Sequence, residues 1–253
     1  MDMEVTLLGT GAPLAPGRAT MGMLVTAPDC APLLLDTCGG FELARQIVAA
    51  GFALTDIGNV VVTHRHLDHA GGVPALLLAN LPLALHASAD THAGLDALIA
   101  ATYPEWPAVA GRTRVVVAAG ERHEIGGFGV EFFTMQHRVP TLAVRVTHGG
   151  RTLAYSADSL PCDALIACAQ DADLFICDAL CAARDGAHWQ VHTRNLMHPT
   201  AAEAAAMAHT AGARALALVH IARFADPANM HAEAEAIFSG PVTVPDDLTR
   251  CAV

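Results

Sequence analysis

The chain has 253 residues, with 25 acidic side chains against 14 basic ones and a formal net charge of −11. A hydrophobic share of 53% with only 15% charged residues excludes a disordered chain, and no apolar run approaches the roughly 18 residues of a membrane span. Every basic residue is arginine, and we expect no broad basic surface for nucleic acid on so acidic a chain.

The N-terminus and the cysteines predict a cytoplasmic protein. Residues 1–4 are acidic in balance and lack the basic segment that opens a signal peptide. The seven cysteines are scattered and form no CxxC pair, which favours reduced thiols. No linker or charge block divides the chain, so we expect a single domain over residues 1–253.

Short apolar runs separated by Gly and Pro predict strands, and longer runs with helical spacing predict helices. The first predicted strands are Met3–Leu8, Gly22–Thr26, Pro32–Leu35, Asn59–Thr63 and Leu83–His86. The helices predicted among them are Phe41–Ala50, Ala70–Ala79 and Asp90–Ala101.

A second series of strands and helices follows. Its predicted strands are Thr113–Ala118, Gly129–Met135, Thr141–Thr147, Thr152–Tyr155, Asp173–Cys177 and Arg214–Val219. Its predicted helices are Cys162–Ala169, Ala228–Phe238 and Thr200–Ala211, the last with a capping box and a glycine stop. The same plan used twice, with halves meeting near residue 125, predicts an α/β fold of two packed sheets with helices outside.

The most informative segment is the HRHLDH sequence at residues 64–69, directly after a predicted buried strand. Imidazole and carboxylate together are the ligand set for zinc, manganese or iron. Spacing by two places His64 and His66 on one side of an extended loop, whereas Asp68 and His69 turn toward a second position. The motif therefore predicts two adjacent metal ions rather than one.

Four residues cannot close two metal sites, so further ligands are expected at strand ends downstream. His137, Asp158 and His220 each follow a predicted strand. A lone histidine at a strand end is more often a hydrogen-bonded structural residue. Three such residues after the 64–69 motif favour a shared site.

The HxHxDH motif followed by His, Asp and His resembles the metallo-β-lactamase superfamily over nearly the whole chain. The resemblance implies an αββα sandwich with two divalent metal ions at one edge, zinc being favoured over manganese or iron. It assigns His64, His66 and His137 to the first ion, Asp68, His69 and His220 to the second, and Asp158 to both. A water or hydroxide shared by the ions would be the nucleophile.

Three motifs resemble the ribonuclease Z branch of that superfamily. The sequence LGTGAP at residues 8–13 resembles its first loop, although a tight turn beside the metal edge explains those glycines better than a phosphate-binding loop does. His198 begins a His-Pro-Thr segment similar to the His-Ser-Thr motif of the branch, and Asp178 stands where the branch has an orienting Glu. The resemblance implies that His198 is a general acid held by Asp178, the alternative being that His198 caps or packs.

The third motif is the closing segment after His220. It resembles the His-x-Ser-x-Arg stretch of the branch, with Ala222 in place of the hydroxyl residue. Arg223 would hold a substrate anion, or else form a surface salt bridge. Asp68, His198 and Asp178 are thus the predicted catalytic residues, and Arg223 the predicted substrate-binding residue. His188 and His192, in a predicted loop, would border the pocket together with Trp189.

The chain departs from ribonuclease Z in one interval. Only 20 residues separate His137 from Asp158, which leaves no room for the arm with which that family grips tRNA. We therefore expect a phosphodiesterase acting on a small phosphodiester or nucleotide. The missing arm and the acidic composition disfavour nucleic acid as a partner, and we expect no membrane partner. Alternatives are an ester, lactone or thioester hydrolase on the same centre, a non-catalytic scaffold, and a nuclease with a basic partner subunit. The resemblance also implies a homodimer.

Overall fold

The computed structural model describes residues 3–79, 82–105 and 112–253. Met1 and Asp2, on which the expectation of a missing signal peptide partly rests, lie outside this range. Seven strands form a first sheet in the order β14-β1-β2-β3-β4-β5-β6. They are β1 (Glu4–Gly9), β2 (Gly22–Thr26), β3 (Leu33–Thr37), β4 (Asn59–Val62), β5 (Leu83–Ala87), β6 (Arg112–Val116) and β14 (Arg250–Ala252).

The second sheet has the order β13-β12-β11-β10-β9-β8-β7. Its strands are β7 (Arg122–Ile125), β8 (Phe128–Thr134), β9 (Leu142–His148), β10 (Arg151–Tyr155), β11 (Leu174–Asp178), β12 (Leu216–Val219) and β13 (Val242–Thr243). In each sheet the strand pairs are antiparallel along one half and parallel along the other. The expected repetition of one plan is therefore confirmed.

The two sheets pack face to face. Alternate residues of β8, namely Phe128, Val130 and Phe132, are buried in a cluster that also contains first-sheet side chains such as Leu35 and Val61. The parallel strand β11 is buried along its whole length, because a parallel strand in a layered fold is covered on both faces.

Helices cover the outer face of each sheet, so the predicted αββα sandwich is confirmed. The helices on the first sheet are α1 (Glu42–Ala49), α2 (Leu67–Ala70), α3 (Val73–Leu78) and α4 (Ala89–Thr102). Those on the second are α5 (Asp163–Ala169), α7 (Ala201–Ala211) and α8 (Pro227–Glu235), and α6 (Ala187–Leu196) lies beside them. Among the described helices, none combines the length and apolar character that a bilayer crossing demands.

Local signals set the bounds of α7 as the sequence predicted. The Thr200 side chain accepts a hydrogen bond from the Glu203 N–H, and the Glu203 carboxylate accepts one from the Thr200 N–H. Gly212 ends the helix with a φ of 67°, a left-handed conformation that glycine adopts without a steric cost.

The sequence predictions differ from the structure in three places. The predicted helix Ala70–Ala79 is two helices, because α2 begins at Leu67 and the chain turns at Gly71 and Gly72. The segment after Cys181 is the helix α6 rather than a loop; it buries only Thr193, so it has no apolar stripe to reveal it. The strands β7, β13 and β14 were not predicted, and β14 returns the chain to the first sheet beside β1.

Gly72, three residues after the 64–69 motif, packs against the end of β3. A Cβ at Gly72 would lie 1.9 Å from the Thr37 carbonyl oxygen, whereas a Cβ at Gly58 would meet nothing within 4 Å. We expect Gly72→Ala to lower the free energy of unfolding by about 1–3 kcal/mol, and Gly58→Ala to change it by less than about 0.5 kcal/mol. Urea denaturation of both variants tests this, and equal midpoints would contradict the close packing.

Candidate metal centre

The ends of several strands meet at one edge of the sandwich, and each carries a polar residue into it. His64 comes just after β4, Asp158 after β10 and His220 directly after β12, while Asp178 ends β11. His220 has a left-handed φ of 63°, which is uncommon for a residue other than glycine and is typical of functional sites. The strand ends thus aim their side chains at a common point.

Four residues form the first cluster. Nδ1 of His66 lies 3.0 Å from Nε2 of His64 and 3.2 Å from Nε2 of His137. Oδ2 of Asp158 lies 3.6 Å from Nε2 of both His64 and His137. A tetrahedral zinc with bonds of about 2.0–2.1 Å separates neighbouring ligand atoms by about 3.3 Å, so the spacing of these atoms fits one such ion.

The second cluster lies on the other side of Asp158. Nε2 of His220 is 3.2 Å from Oδ2 of Asp68, and Nε2 of His69 is 3.5 Å from the same oxygen. Oδ1 of Asp158 is 3.1 Å from Nε2 of His69 and 3.8 Å from Nε2 of His220. The two oxygens of Asp158 therefore face different clusters, as a bridging carboxylate would.

Unpartnered polar atoms at the centre of these clusters also fit cations. Nε2 of His69 and Oδ1 of Asp158 are buried and lie 3.1 Å apart, but they form no hydrogen bond with each other or with another described residue. Leaving such atoms unpaired in a protein interior is costly. All seven predicted ligands lie in groups whose ligand atoms are within 4.8 Å of one another, and together they could hold divalent metal ions.

Burial favours the neutral form of the histidines in the first cluster, and this is the form that binds a metal. Burial lowers the pKa of His64 well below its usual range, and the neighbouring His69 adds to the effect. Burial likewise lowers the pKa of His66 and of His137. Neutral imidazoles keep the lone pair that coordinates a cation. Burial also opposes the charge on His69, but Asp158 and the other surrounding carboxylates outweigh it and raise its pKa.

Asp36, which the sequence reasoning missed, supports both clusters from behind. Its Oδ2 accepts hydrogen bonds from Nδ1 of His69 at 2.8 Å, Oγ1 of Thr63 at 3.0 Å and the Tyr155 hydroxyl at 2.8 Å. Oγ1 of Thr63 in turn lies 3.1 Å from Nδ1 of His64. These contacts leave Nε2 of each histidine facing its cluster. The available signal was a single carboxylate in the otherwise apolar end of β3.

His198 and Asp178 form a pair beside the second cluster. Nδ1 of His198 is 2.7 Å from Oδ2 of Asp178, and the His198 ring stacks on His220 with centroids 4.8 Å apart. Met197, with a φ of 68°, ends α6 and turns the chain so that His198 enters the site. Burial opposes the charge on His198, but Asp178 and Asp158 raise its pKa to about 9. His198 is therefore suited to carry a proton at neutral pH.

A cleft of about 370 Å³ opens onto both clusters and His198. Its apolar wall consists of Leu14, Leu180, Leu196 and Phe224, and the exposed residues His192, Arg138 and Arg223 also line it. Arg223 makes no ion pair with any carboxylate in the described part of the chain, so the alternative of a surface salt bridge finds no partner there. His188 and Trp189 do not line this cleft. A larger cavity of about 580 Å³ lies at the edge formed by β7, β8 and β9, far from the clustered residues.

Asp247, near the C-terminus, holds the loop that forms one side of the cleft. Its Oδ1 accepts hydrogen bonds from the N–H and the hydroxyl of Thr10 at 3.0 and 2.8 Å. Its Oδ2 accepts one from the Ala19 N–H at 2.6 Å. Arg18 reinforces this contact by donating to the Pro245 carbonyl. The loop between β1 and β2, which carries Leu14, is thus tied to the C-terminal segment.

The family model of the Beta-lactamase superfamily domain matches residues 32–221, which include every clustered residue. The chain belongs to this superfamily. Ribonuclease Z of Natronomonas pharaonis is 30% identical, with 98% of this chain and 96% of that protein covered. The probable metallo-hydrolase YhfI of Bacillus subtilis is 29% identical, with 96% of each covered.

Solved structures agree with the fold. The crystal structure of YhfI superposes with a TM-score of 0.84, covering 100% of both chains at 24% identity. A diphosphatase from the PhnP family superposes with a TM-score of 0.75 at 18% identity, covering 100% of this chain and 98% of that one. The resemblance to the ribonuclease Z-like branch is confirmed, and the names of the relatives indicate a metal-dependent hydrolase.

The comparison with ribonuclease Z also bears on two expectations, the lack of room for the tRNA-gripping arm and the disfavoured nucleic-acid partner. Its alignment spans 305 positions, more than the 253 residues of this chain, so that relative carries inserted residues that are missing here. The expectation that disfavours nucleic acid as a partner has no support, because relatives of this chain are named ribonuclease Z.

Replacing Asp36 tests the support of the clusters. We expect Asp36→Asn to weaken zinc binding by about 10–100-fold, because the histidine tautomers are no longer fixed. Competition with a chromogenic chelator measures the affinity, and circular dichroism checks the fold. Asp173→Asn is the matched control, since Asp173 accepts comparable hydrogen bonds at the opposite end of β11. Equal zinc affinity in the two variants would show that Asp36 does not position the ligands.

Proposed function

We propose that the chain is a dinuclear metal-dependent phosphodiesterase that acts on a small phosphodiester or nucleotide. The observation that carries this proposal is the pairing of His198 with Asp178 beside a double cluster of metal-type ligands. A hydrolase of activated acyl groups has less need of a dedicated proton donor. A phosphodiester with a poor alkoxide leaving group needs one.

In this proposal His64, His66 and His137 would hold one ion, Asp68, His69 and His220 would hold the other, and Asp158 would contribute an oxygen to each. The histidine-rich donor set favours zinc, with manganese and iron as alternatives. Two bound cations would lower the pKa of a water molecule and neutralise negative charge on the phosphate. Asp68 faces His220 in the second cluster, and its carboxylate would help to orient the attacking water.

His198 would donate its Nε2 proton to the leaving oxygen. Asp178 accepts the hydrogen bond from Nδ1, so it fixes the tautomer and stabilises the charged imidazole before the transfer. Arg223 would bind a non-bridging oxygen or a second anionic group of the substrate. Residues 1–253 would act together as one catalytic domain. Location in the cytoplasm and assembly as a homodimer stay predictions from the sequence.

An ester, lactone or thioester hydrolase is the second candidate. The apolar wall of Leu14, Leu180 and Leu196 favours it, because such a surface would also accommodate an acyl chain. The same cations would polarise a carbonyl as readily as a phosphate. The choice between the two reactions therefore depends on His198 and the arginines rather than on the metal ligands.

Paired assays separate these candidates. With zinc or manganese added, we expect bis(p-nitrophenyl) phosphate to be hydrolysed with a higher kcat/KM, relative to its rate in water, than p-nitrophenyl butyrate or an acyl lactone. Both families of substrate are followed with the same preparation. Turnover of the ester or lactone with little phosphodiester cleavage would reject the phosphodiesterase.

The leaving group tests the role of His198. We expect His198→Ala to lower kcat by about 10²–10⁴-fold for a diester with an alkyl leaving group, and far less for one that expels p-nitrophenolate, which needs no proton. His209→Ala, at an exposed position of α7, is the matched control and should leave both rates unchanged. A similar loss on both leaving groups would show that His198 is not the general acid.

A further inference from the structure

Three aromatic rings stand together beside the cleft, on α6 and on the segment that follows β12, and two of them line it. The Trp189 and Phe224 rings stack with centroids 3.8 Å apart and an interplanar angle of 6°. His192 packs edge-on against both, with centroids 5.8 Å from Trp189 and 5.9 Å from Phe224. We call Trp189, His192 and Phe224 the ring shelf.

Core packing accounts for only part of the ring shelf, because Phe224 packs against the small buried cluster of Ala12, Leu180 and Ala222. The helix α6 buries only Thr193, His192 is exposed, and Trp189 and Phe224 are half-buried. Aromatic surface left accessible to solvent beside a polar site is available to a ligand. Phe224 and His192 line the same cleft as the metal-type ligands and His198.

Several contacts fix the ring shelf relative to the site. Arg138, the residue after His137, donates a hydrogen bond to the Asn195 carbonyl near the end of α6. At its C-terminus α6 leads through Met197 directly into His198. Phe224 follows His220 by four residues, and the Trp189 ring covers one face of the Phe224 ring. These contacts therefore hold the ring shelf in a fixed position relative to the site.

The charges beside the shelf favour an anionic ligand. Arg138 and Arg223 are exposed and line the cleft, and within the described ranges neither pairs with a carboxylate. In a chain with a net charge of −11, two guanidinium groups on one cleft that no described carboxylate neutralises are a local exception, although Arg138 also donates to the Asn195 carbonyl. A ligand that fits would combine negative charge with a flat ring.

We propose that the ring shelf binds the base of a nucleotide, so that the substrate of the proposed phosphodiesterase is a nucleoside phosphodiester. The proposal rests on the proposed function, whose substrate it narrows. Base stacking on aromatic side chains is tolerant of base identity and contributes strongly to binding. The pocket side of Phe224 and His192 receives the base, and Arg138 and Arg223 bind phosphate oxygens. A purely aliphatic phosphodiester has no flat ring that could stack on the shelf.

Direct binding to the zinc-loaded full chain tests the shelf without relying on turnover. Adenosine 5′-monophosphate and ribose 5-phosphate differ by the base alone. Hexyl phosphate offers an apolar chain but no flat ring. By isothermal titration calorimetry we expect the first to bind about tenfold or more tightly than the other two. Equal affinities for adenosine 5′-monophosphate and either comparison ligand would overturn the proposal.

Variants of Phe224 test whether the preference for the base comes from the ring shelf. We expect Phe224→Leu, which keeps apolar bulk and removes the ring, to reduce the preference for the base to about twofold or less while leaving the Kd of ribose 5-phosphate unchanged. Phe224→Trp should retain the preference. Phe41→Leu is the control, because Phe41 is 61% exposed and does not line the cleft. A preference that survives Phe224→Leu would overturn the assignment.

Hydrolysis of methyl p-nitrophenyl phosphate, which lacks a nucleoside, is measured on the same preparations. Hydrolysis without any preference for the base overturns the shelf and leaves the phosphodiesterase standing. A preference for the base in a protein that hydrolyses no phosphodiester overturns the phosphodiesterase, and with it the role of the shelf in holding a substrate.

Discussion

The structure depends on one electrostatic constraint, the convergence of five histidines and two aspartates at a single buried edge. Asp158 lies between the two clusters, with one oxygen toward each. Burying so many polar groups is costly unless they are paired or coordinate a cation. Divalent cations in both clusters would satisfy the atoms that the protein leaves unpartnered at the centre.

The surrounding architecture holds these ligands in place. Asp36 fixes the histidines of both clusters through direct and hydroxyl-mediated contacts, and Asp178 fixes His198. Each of these carboxylates lies at the C-terminal end of a buried strand, β3 for Asp36 and β11 for Asp178, where the packed sheets limit its movement. Asp247 does the same for the loop that borders the cleft. The site is therefore a product of the two sheets meeting at one edge.

Local patterns predicted the fold, and the structure brings the seven predicted ligand residues together in two clusters that share Asp158. The HRHLDH segment needs no tertiary information, and strand ends identified His137, Asp158 and His220. Asp36 and Asp247 were missed because each acts through contacts made by distant segments. The ring shelf was missed in part for the same reason: Trp189 and Phe224 are 35 positions apart, and only the packing of α6 beside the end of β12 stacks them. The helix α6 itself is too exposed to show an apolar period.

The most direct test of the central claim is a crystal structure of the zinc-loaded protein with anomalous data collected at the zinc edge. The account predicts two anomalous peaks, one within bonding distance of Oδ2 of Asp158 among His64, His66 and His137, and one near Oδ1 among Asp68, His69 and His220. A single peak, or peaks that leave Asp158 uncoordinated, would contradict the dinuclear centre.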